Sequence, residues 1–297
     1  MIPFEDPTVI LPHSSLDVIK GVPEPDLTLN GNMYQRFFGR FTQIGTDDKE
    51  LVDALKFDLT HNVPHMLDTM AEEVSYGFHS IVGHCKDWKS FPTYQTMLQI
   101  VALTSGRTFV GLPLSRTEEW LQASIQHTIG SVQFSDRLRG YPALLRPVVA
   151  PFLKDLKSVR EVQDQVTRLL RPIIDKHVSS KNLEKQAMLA NGEEGRMVSW
   201  LLGRYARNTR AQVDPNRLVR DHLTLSFAAI HVASIALTHV LHDLAFRPEY
   251  MQPLRDELSA ELAKATDGKL SSKGLANLVK MDSFIKESLR LSPSGIG

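Results

Sequence analysis

The polar residues best suited to chemistry lie together in one apolar stretch late in the chain. Thr224, His231, Ser234, Thr238 and His242 recur close to the helical period, so they would line one side of a helix. A buried polar group without a partner is costly, and the stripe therefore predicts contact with water, a cavity or a ligand. The alternative is a solvent-facing stripe on an amphipathic helix.

Small side chains surround His231 in the same stretch. Ala228, Ala229 and Ala233 would allow something flat to approach the helix backbone closely. The three alanines could therefore form a packing surface for a ligand beside His231 and Ser234.

A second candidate feature is the pair Glu287 and Arg290. Residues three apart on a helix can meet, so these two side chains can form an ion pair. On a surface such a pair contributes only ~0.3–0.5 kcal/mol. The pair therefore has no special meaning unless a larger pattern includes it.

A long helix must carry the polar stripe. Asp214 followed by Pro215 is a strong helix start, and no helix breaker follows until Pro248. A helix from Pro215 to about Phe246 would be roughly 48 Å long at 1.5 Å per residue. It could cross a whole domain, and its length also suits a membrane span. The histidines argue against the membrane, because they are costly in hydrocarbon.

The remaining pattern predicts one mainly α domain over residues 1–297. Residues 1–47 read as an irregular arm, with a short strand at Val9–Leu11. Helices are expected over 48–207, in the long helix at 214–247, and at 275–292 around Glu287 and Arg290. The prolines between Tyr141 and Leu153 exclude one continuous helix there, and a polar, glycine-containing connector is expected at Ser179–Gly195.

Composition narrows the functions that the chain can have. The 297 residues carry 34 basic and 34 acidic side chains, which argues against a general attraction to nucleic acid. Cys85 is the single cysteine, so no internal disulfide and no zinc site built on paired cysteines can form. No metal ligand set is predicted. The first residues resemble neither a signal peptide nor a transmembrane anchor.

Several segments together resemble a known family. They are, in chain order, Phe41–Gly45, Arg107–Leu114, Arg146–Pro147, Ala228–Ser234, His239–Leu244, Arg247–Tyr250, Leu254–Leu258 and Lys280–Pro293. Together these segments resemble the cytochrome P450 family, the haem-thiolate monooxygenases. They resemble in particular the fungal members that oxidise terpenoid secondary metabolites. The fold implied is an incomplete cytochrome P450 fold with little sheet.

The resemblance implies roles for these segments. The long helix would cross the distal face of a haem, with Ala228, Ala229 and Ala233 packing near it, and Glu287 with Arg290 would hold the core behind it. The cysteine thiolate of the family favours O–O cleavage. An apolar small-molecule substrate and an NADPH-cytochrome reductase are implied as partners. The family location is the cytosolic face of the endoplasmic reticulum membrane, whereas a chain without the anchor would be cytosolic or of unknown location.

The sequence departs from the family pattern in three ways. The loop Phe-x-x-Gly-x-x-x-Cys-x-Gly is absent, and Cys85 lacks its context. The family's anchor and first section are also absent, so we expect a chain truncated at both ends, inactive as written and poorly soluble. The usual two threonines after the histidine are replaced by Val232 and Ala233, which leaves Ser234, or a water held by His231, to deliver protons.

Two other functions remain open at this stage. The chain could be a non-enzymatic relic that binds an apolar ligand or a partner protein. Alternatively, His231 could itself ligate haem and give a different kind of haem protein.

Overall fold

The computed structural model describes residues 11–23, 26–46, 48–179, 196–208, 214–265 and 268–293. All regular structure in these ranges is helical, and they contain no strand. The mainly α prediction is therefore confirmed. Most of the predicted strand at Val9–Leu11 and most of the predicted connector at Ser179–Gly195 lie outside the described residues.

The α-helices follow one another with short connections. The first nine are α1 Leu16–Lys20, α2 Leu29–Arg36, α3 Gly39–Thr42, α4 Lys49–Asp53, α5 Thr60–Asn62, α6 Leu67–Gly77, α7 Thr93–Phe109, α8 Glu118–Arg139 and α9 Arg146–Val149. They are followed by α10 Lys154–Ser179, α11 Arg196–Asn208, α12 Pro215–Phe246, α13 Met251–Leu262, α14 Ser272–Ala276 and α15 Val279–Leu291. Five single turns are 3-10 helix, at His13–Ser15, Val63–Met66, Leu114–Arg116, Ala150–Phe152 and Pro248–Tyr250. Two turns are π-helix, at Ala54–Leu59 and Phe78–Val82.

Helix α12 has the predicted bounds because its start is specified locally. The Asp214 side chain accepts a hydrogen bond from the Asn216 N–H at 2.9 Å, and Pro215 occupies the first turn. The helix ends at Phe246, just before Pro248. The start and end signals in the sequence thus sufficed for this element.

The core surrounds α12. This helix packs along α7 and α8, and more locally against α10 and α15. The largest buried cluster joins α12 to the helices on either side of it. Its fully buried large side chains include Trp120, Leu170, Ile174, Met197, Leu201, Leu202, Tyr205 and Leu218.

An ion-pair network fixes the start of α12 to α4. Asp48 is 4% exposed and accepts hydrogen bonds from Arg217 at 2.7 and 2.8 Å, and from Arg220 at 2.6 Å. Burial raises the pKa of Asp48, but the hydrogen bonds from Arg217 and the Leu51 N–H outweigh burial and hold this pKa below its ordinary value. Asp48 therefore stays ionised between its two arginines.

The same network reaches α11. The Tyr205 hydroxyl donates to Asp221, which also contacts Arg220. Burial raises the pKa of Asp221 to about 6, so this carboxyl is far less acidic than Asp48 although it also has hydrogen-bond donors. Arg204 on the same helix makes a two-point contact with Asp58, at 2.6 and 3.1 Å.

Two sequence-based expectations were wrong in detail. The arm expected to be irregular over 1–47 is helical at α2 and α3, and Phe37 packs edge-on against Phe227 of α12 at 4.9 Å. The helix expected from residue 275 instead begins at Val279, because a turn at Asn277 and Leu278 separates α14 from α15. The predicted break between Tyr141 and Leu153 is confirmed by the short α9 and the 3-10 turn after it.

We predict that Asp48→Ala lowers the free energy of unfolding by about 3 kcal/mol, because Arg217 and Arg220 lose the buried carboxylate that they share. The measurement is the urea unfolding midpoint followed by far-UV circular dichroism. Glu161→Ala is the control, since its pair with Lys157 is 66% and 80% exposed, and it should cost less than about 1 kcal/mol. Equal losses for the two variants would contradict the anchoring role of Asp48.

Candidate functional site

One side of α12 is open in its middle. Ala228 is exposed and Val232 is 51% exposed, while Ala229 and Ala233 are partly buried. Both open side chains are apolar and short. This strip, Ala228 with Val232, is called the open side of α12 below. Its shape would allow a flat apolar group to approach the helix backbone.

His231 is turned toward neighbouring helices. Its Nδ1 lies 3.0 Å from the hydroxyl of Tyr94 on α7. The ring is partly buried, and burial lowers its pKa, while the Ile125 carbonyl on α8 acts in the opposite direction. The imidazole is therefore neutral near pH 7. In the described part of the chain, Nε2 has no hydrogen bond of good geometry.

The remaining members of the predicted stripe differ in their surroundings. Ser234 is completely buried, and its hydroxyl donates to the Ile230 carbonyl at 2.6 Å. Thr238 and Thr224 likewise donate to carbonyls four residues earlier. His242 lies exposed near the end of the helix. A hydroxyl on a helix often satisfies itself in this way, so spacing alone did not reveal where the group points.

Ser234 is also placed badly for a role in proton delivery at the open side. At about 100° per residue, Ser234 lies roughly 120° from Ala228 and 160° from Val232 around the helix axis. His231 lies much nearer, about 60° from Ala228 and 100° from Val232. His231 therefore lies nearer to the open side than Ser234 does.

Two buried histidines were not singled out by the sequence pattern. His222 on α12 has its Nδ1 2.9 Å from the Leu218 carbonyl, and burial lowers its pKa to about 4. His127 on α8 is 1% exposed, and neither ring nitrogen has a partner among the described residues. Burial lowers its pKa to about 4 as well. Both rings are neutral and deep in the protein.

Glu287 and Arg290 meet as predicted. Arg290 donates to both carboxylate oxygens of Glu287, at 2.7 and 2.8 Å, and the hydrogen bond from Arg290 lowers the pKa of Glu287. The two side chains are 56% and 65% exposed. They border a cavity of about 760 Å³ between the end of α12, α13 and α15, which Tyr250 and Phe284 also line.

The link between α12 and α15 includes a contact that the sequence did not reveal. The Ser288 hydroxyl, on a residue only 2% exposed, donates to Asp243 near the end of α12. This contact joins the two helices that carry the two predicted site features. Neither residue belongs to a pattern that would have identified it.

The described residues contain no group of three or more histidine, cysteine or acidic side chains arranged to hold a metal ion. Cys85 is exposed, and its thiol approaches only the Val82 carbonyl of its own turn, at 3.9 Å. Among the described helices, α12 is the one long and apolar enough to cross a membrane. Its polar contacts with α4, α7 and α15 are those of a helix within a bundle.

Comparison with known proteins identifies the family. The sequence model described as cytochrome P450 matches residues 51–296. The chain is 36% identical to the cytochrome P450 monooxygenase ascG of Acremonium egyptiacum over 99% of its length and 56% of the relative's. It is also 36% identical to BOA7 of Botryotinia fuckeliana, over 97% of the chain and 55% of the relative. A third relative, ataF of Aspergillus terreus, is 36% identical over 97% of the chain and 56% of its own length.

The chain therefore belongs to the cytochrome P450 family. These relatives are named cytochrome P450 monooxygenases of fungi. The chain spans about half the length of the curated relatives that it matches.

We predict that Ser234→Ala leaves the fold intact and changes the free energy of unfolding by less than about 1.5 kcal/mol. The reason is that the Ser234 hydroxyl donates to the Ile230 carbonyl, which already accepts a backbone hydrogen bond within the helix. The measurement is the thermal unfolding midpoint. Ser288→Ala is the comparison, and it should cost more because Asp243 loses its donor. A larger loss for Ser234→Ala would show that its hydroxyl has a further partner.

Proposed function

We propose that this chain supplies the distal half of the haem pocket of a fungal monooxygenase that oxidises an apolar, terpenoid-like secondary metabolite. The family implies a haem cofactor, a small-molecule substrate and a redox partner. The observation that carries the proposal is the open side of α12, because the middle of this long helix presents there the short apolar side chains of Ala228 and Val232. Such a strip suits the face of a flat apolar ring.

The residues present fit a haem on its distal side only. The small and apolar side chains of the open side would hold the ring by close contact, with Ala229 and Ala233 beside them. Cys85 does not fit as the thiolate ligand, because it is exposed in a turn and lies in none of the family's ligand context. When bound, a thiolate-ligated haem activates molecular oxygen for insertion into the substrate.

The chain's own residues would then have separate tasks. Val232 would exclude water from the ring face without offering a hydroxyl. His231 would be the polar residue beside the open side, and its hydrogen bond with Tyr94 would fix the orientation of its ring. We propose that the contact between Ser288 and Asp243 keeps α15 against the end of α12. We further propose that Glu287 and Arg290, which pair with each other within α15, hold the core behind the haem in the intact oxygenase. Residues 1–297 would in this way form one helical unit of the oxygenase domain.

Partners and location follow from family membership as part of the proposal. Fungal members of the family are typically membrane-associated, so we place the intact oxygenase at the cytosolic face of the endoplasmic reticulum membrane. Its electrons would come from an NADPH-cytochrome reductase. The open side of α12 also supports a second candidate function, in which the chain binds an apolar ligand without chemistry. Saturable binding of a terpenoid to the haem-free protein would favour it.

We predict that residues 1–297 mixed with haem give no thiolate-type Soret band in the reduced, carbon-monoxide-bound spectrum. The physical reason is that the chain's one thiol, Cys85, lies in an exposed turn where no buried ring face is present. A thiolate-type band that Cys85→Ser abolishes would contradict the assignment of Cys85 as a surface residue.

A chimera tests the distal pocket directly. Residues 1–293 would be continued by the remaining segment of the Acremonium egyptiacum relative, which we expect to produce a thiolate-type spectrum. We predict that Val232→Trp in this chimera weakens haem retention about tenfold, equal to about 1.4 kcal/mol, because the indole would occupy the ring position. Haem retention is measured by equilibrium transfer to apomyoglobin. Leu144→Trp is the control, at a side chain 92% exposed. Unchanged haem retention in Val232→Trp would refute the proposed pocket.

A further inference from the structure

The contact between Tyr94 and His231 joins two helices at the border of the open side. Tyr94 is the second residue of α7, and its partner lies 137 positions later in the middle of α12. The distance of 3.0 Å between the hydroxyl oxygen and Nδ1 is that of a hydrogen bond. Both side chains are partly buried.

The surroundings decide which atom donates. A neutral imidazole has one N–H donor and one acceptor nitrogen. Burial raises the pKa of Tyr94, so its hydroxyl keeps its proton and can donate. The Ile125 carbonyl also faces the imidazole and can only accept. An arrangement that suits both neighbours has Nδ1 as acceptor and the proton on Nε2.

We propose that Tyr94 is a positioning residue for His231: its hydroxyl donates to Nδ1 and holds the neutral imidazole in the tautomer with the proton on Nε2. The geometry carries this assignment by itself. Its importance for oxygenase chemistry rests on the function proposed above.

The fixed tautomer determines what His231 can do at the open side. Val232 and Ala233 have no hydroxyl, and Ser234 donates to its own helix. The fixed tautomer gives His231 an Nε2–H donor. This nitrogen is buried in the described part of the chain, and the Ile125 carbonyl is the acceptor that faces the imidazole. The protonated Nε2 has no lone pair for a metal, and Nδ1 is already used. His231 is therefore a hydrogen-bond donor and not a haem ligand.

Nuclear magnetic resonance of the haem-free chain tests the tautomer directly. Residues 1–297 are labelled with ¹⁵N-histidine, and long-range ¹H–¹⁵N correlations are recorded at pH 7. The His231 signals are assigned by their loss in His231→Gln. We expect the pattern of a neutral ring protonated at Nε2. A ring protonated at Nδ1, or one averaging between both tautomers, would overturn the proposal.

Tyr94→Phe tests whether Tyr94 is the cause. Loss of one neutral hydrogen bond should shift the ratio of the two tautomers roughly fivefold toward the Nδ1-protonated form. Tyr76→Phe is the matched control, because the Tyr76 ring lies under Arg116 at 3.8 Å, away from His231. If Tyr94→Phe leaves the His231 pattern unchanged, Tyr94 does not position the ring. A failed haem test in the chimera would leave these results untouched, so the two proposals fail separately.

Discussion

The structure depends on how α12 satisfies its polar groups while it crosses the bundle. A buried hydroxyl or imidazole needs a partner, and most polar side chains of this helix find one in its own backbone. Ser226, Ser234 and Thr238 each donate to a carbonyl four residues earlier. Polar residues can therefore lie on the packed side, and the side left open in the middle presents Ala228 and Val232. The network around Asp48 then fixes the position of the helix at its first turns.

The sequence predicted the elements well where local signals were strong. Asp214 with Pro215 gave the start of α12, and the approach of Pro248 gave its end. The prolines at 142, 147 and 151 gave the broken segment after α8. The sequence failed where a residue belonged to a partner elsewhere in the chain. No pattern marks Asp48 as the acceptor for Arg217, 169 positions away, or Tyr94 as the donor for His231, 137 positions away.

The candidate site shows the same division. The small residues on α12 and the ion pair on α15 were recognised from spacing, and the structure has them on the expected helices. The direction of each polar side chain was not predictable, because a helical stripe does not say whether a hydroxyl faces a cavity or bends back to its own helix. Ser234 and His231 belong to the same helical stripe, but Ser234 donates to its own helix and His231 contacts Tyr94 on α7. Family membership rests on the match over residues 51–296 and does not depend on these directions.

The exposed pair on α15 sets a requirement for anything that covers it. A guanidinium has five N–H donors, and Glu287 takes two of those of Arg290. The other three need oxygen acceptors, which water supplies at an exposed surface. A polypeptide segment that displaced this water would have to present carbonyl or carboxylate oxygens at those positions. Otherwise three N–H donors would be buried without acceptors, which costs free energy. A segment that binds this surface must therefore first place oxygen acceptors opposite the N–H groups of Arg290, and the apolar area that it buries matters less.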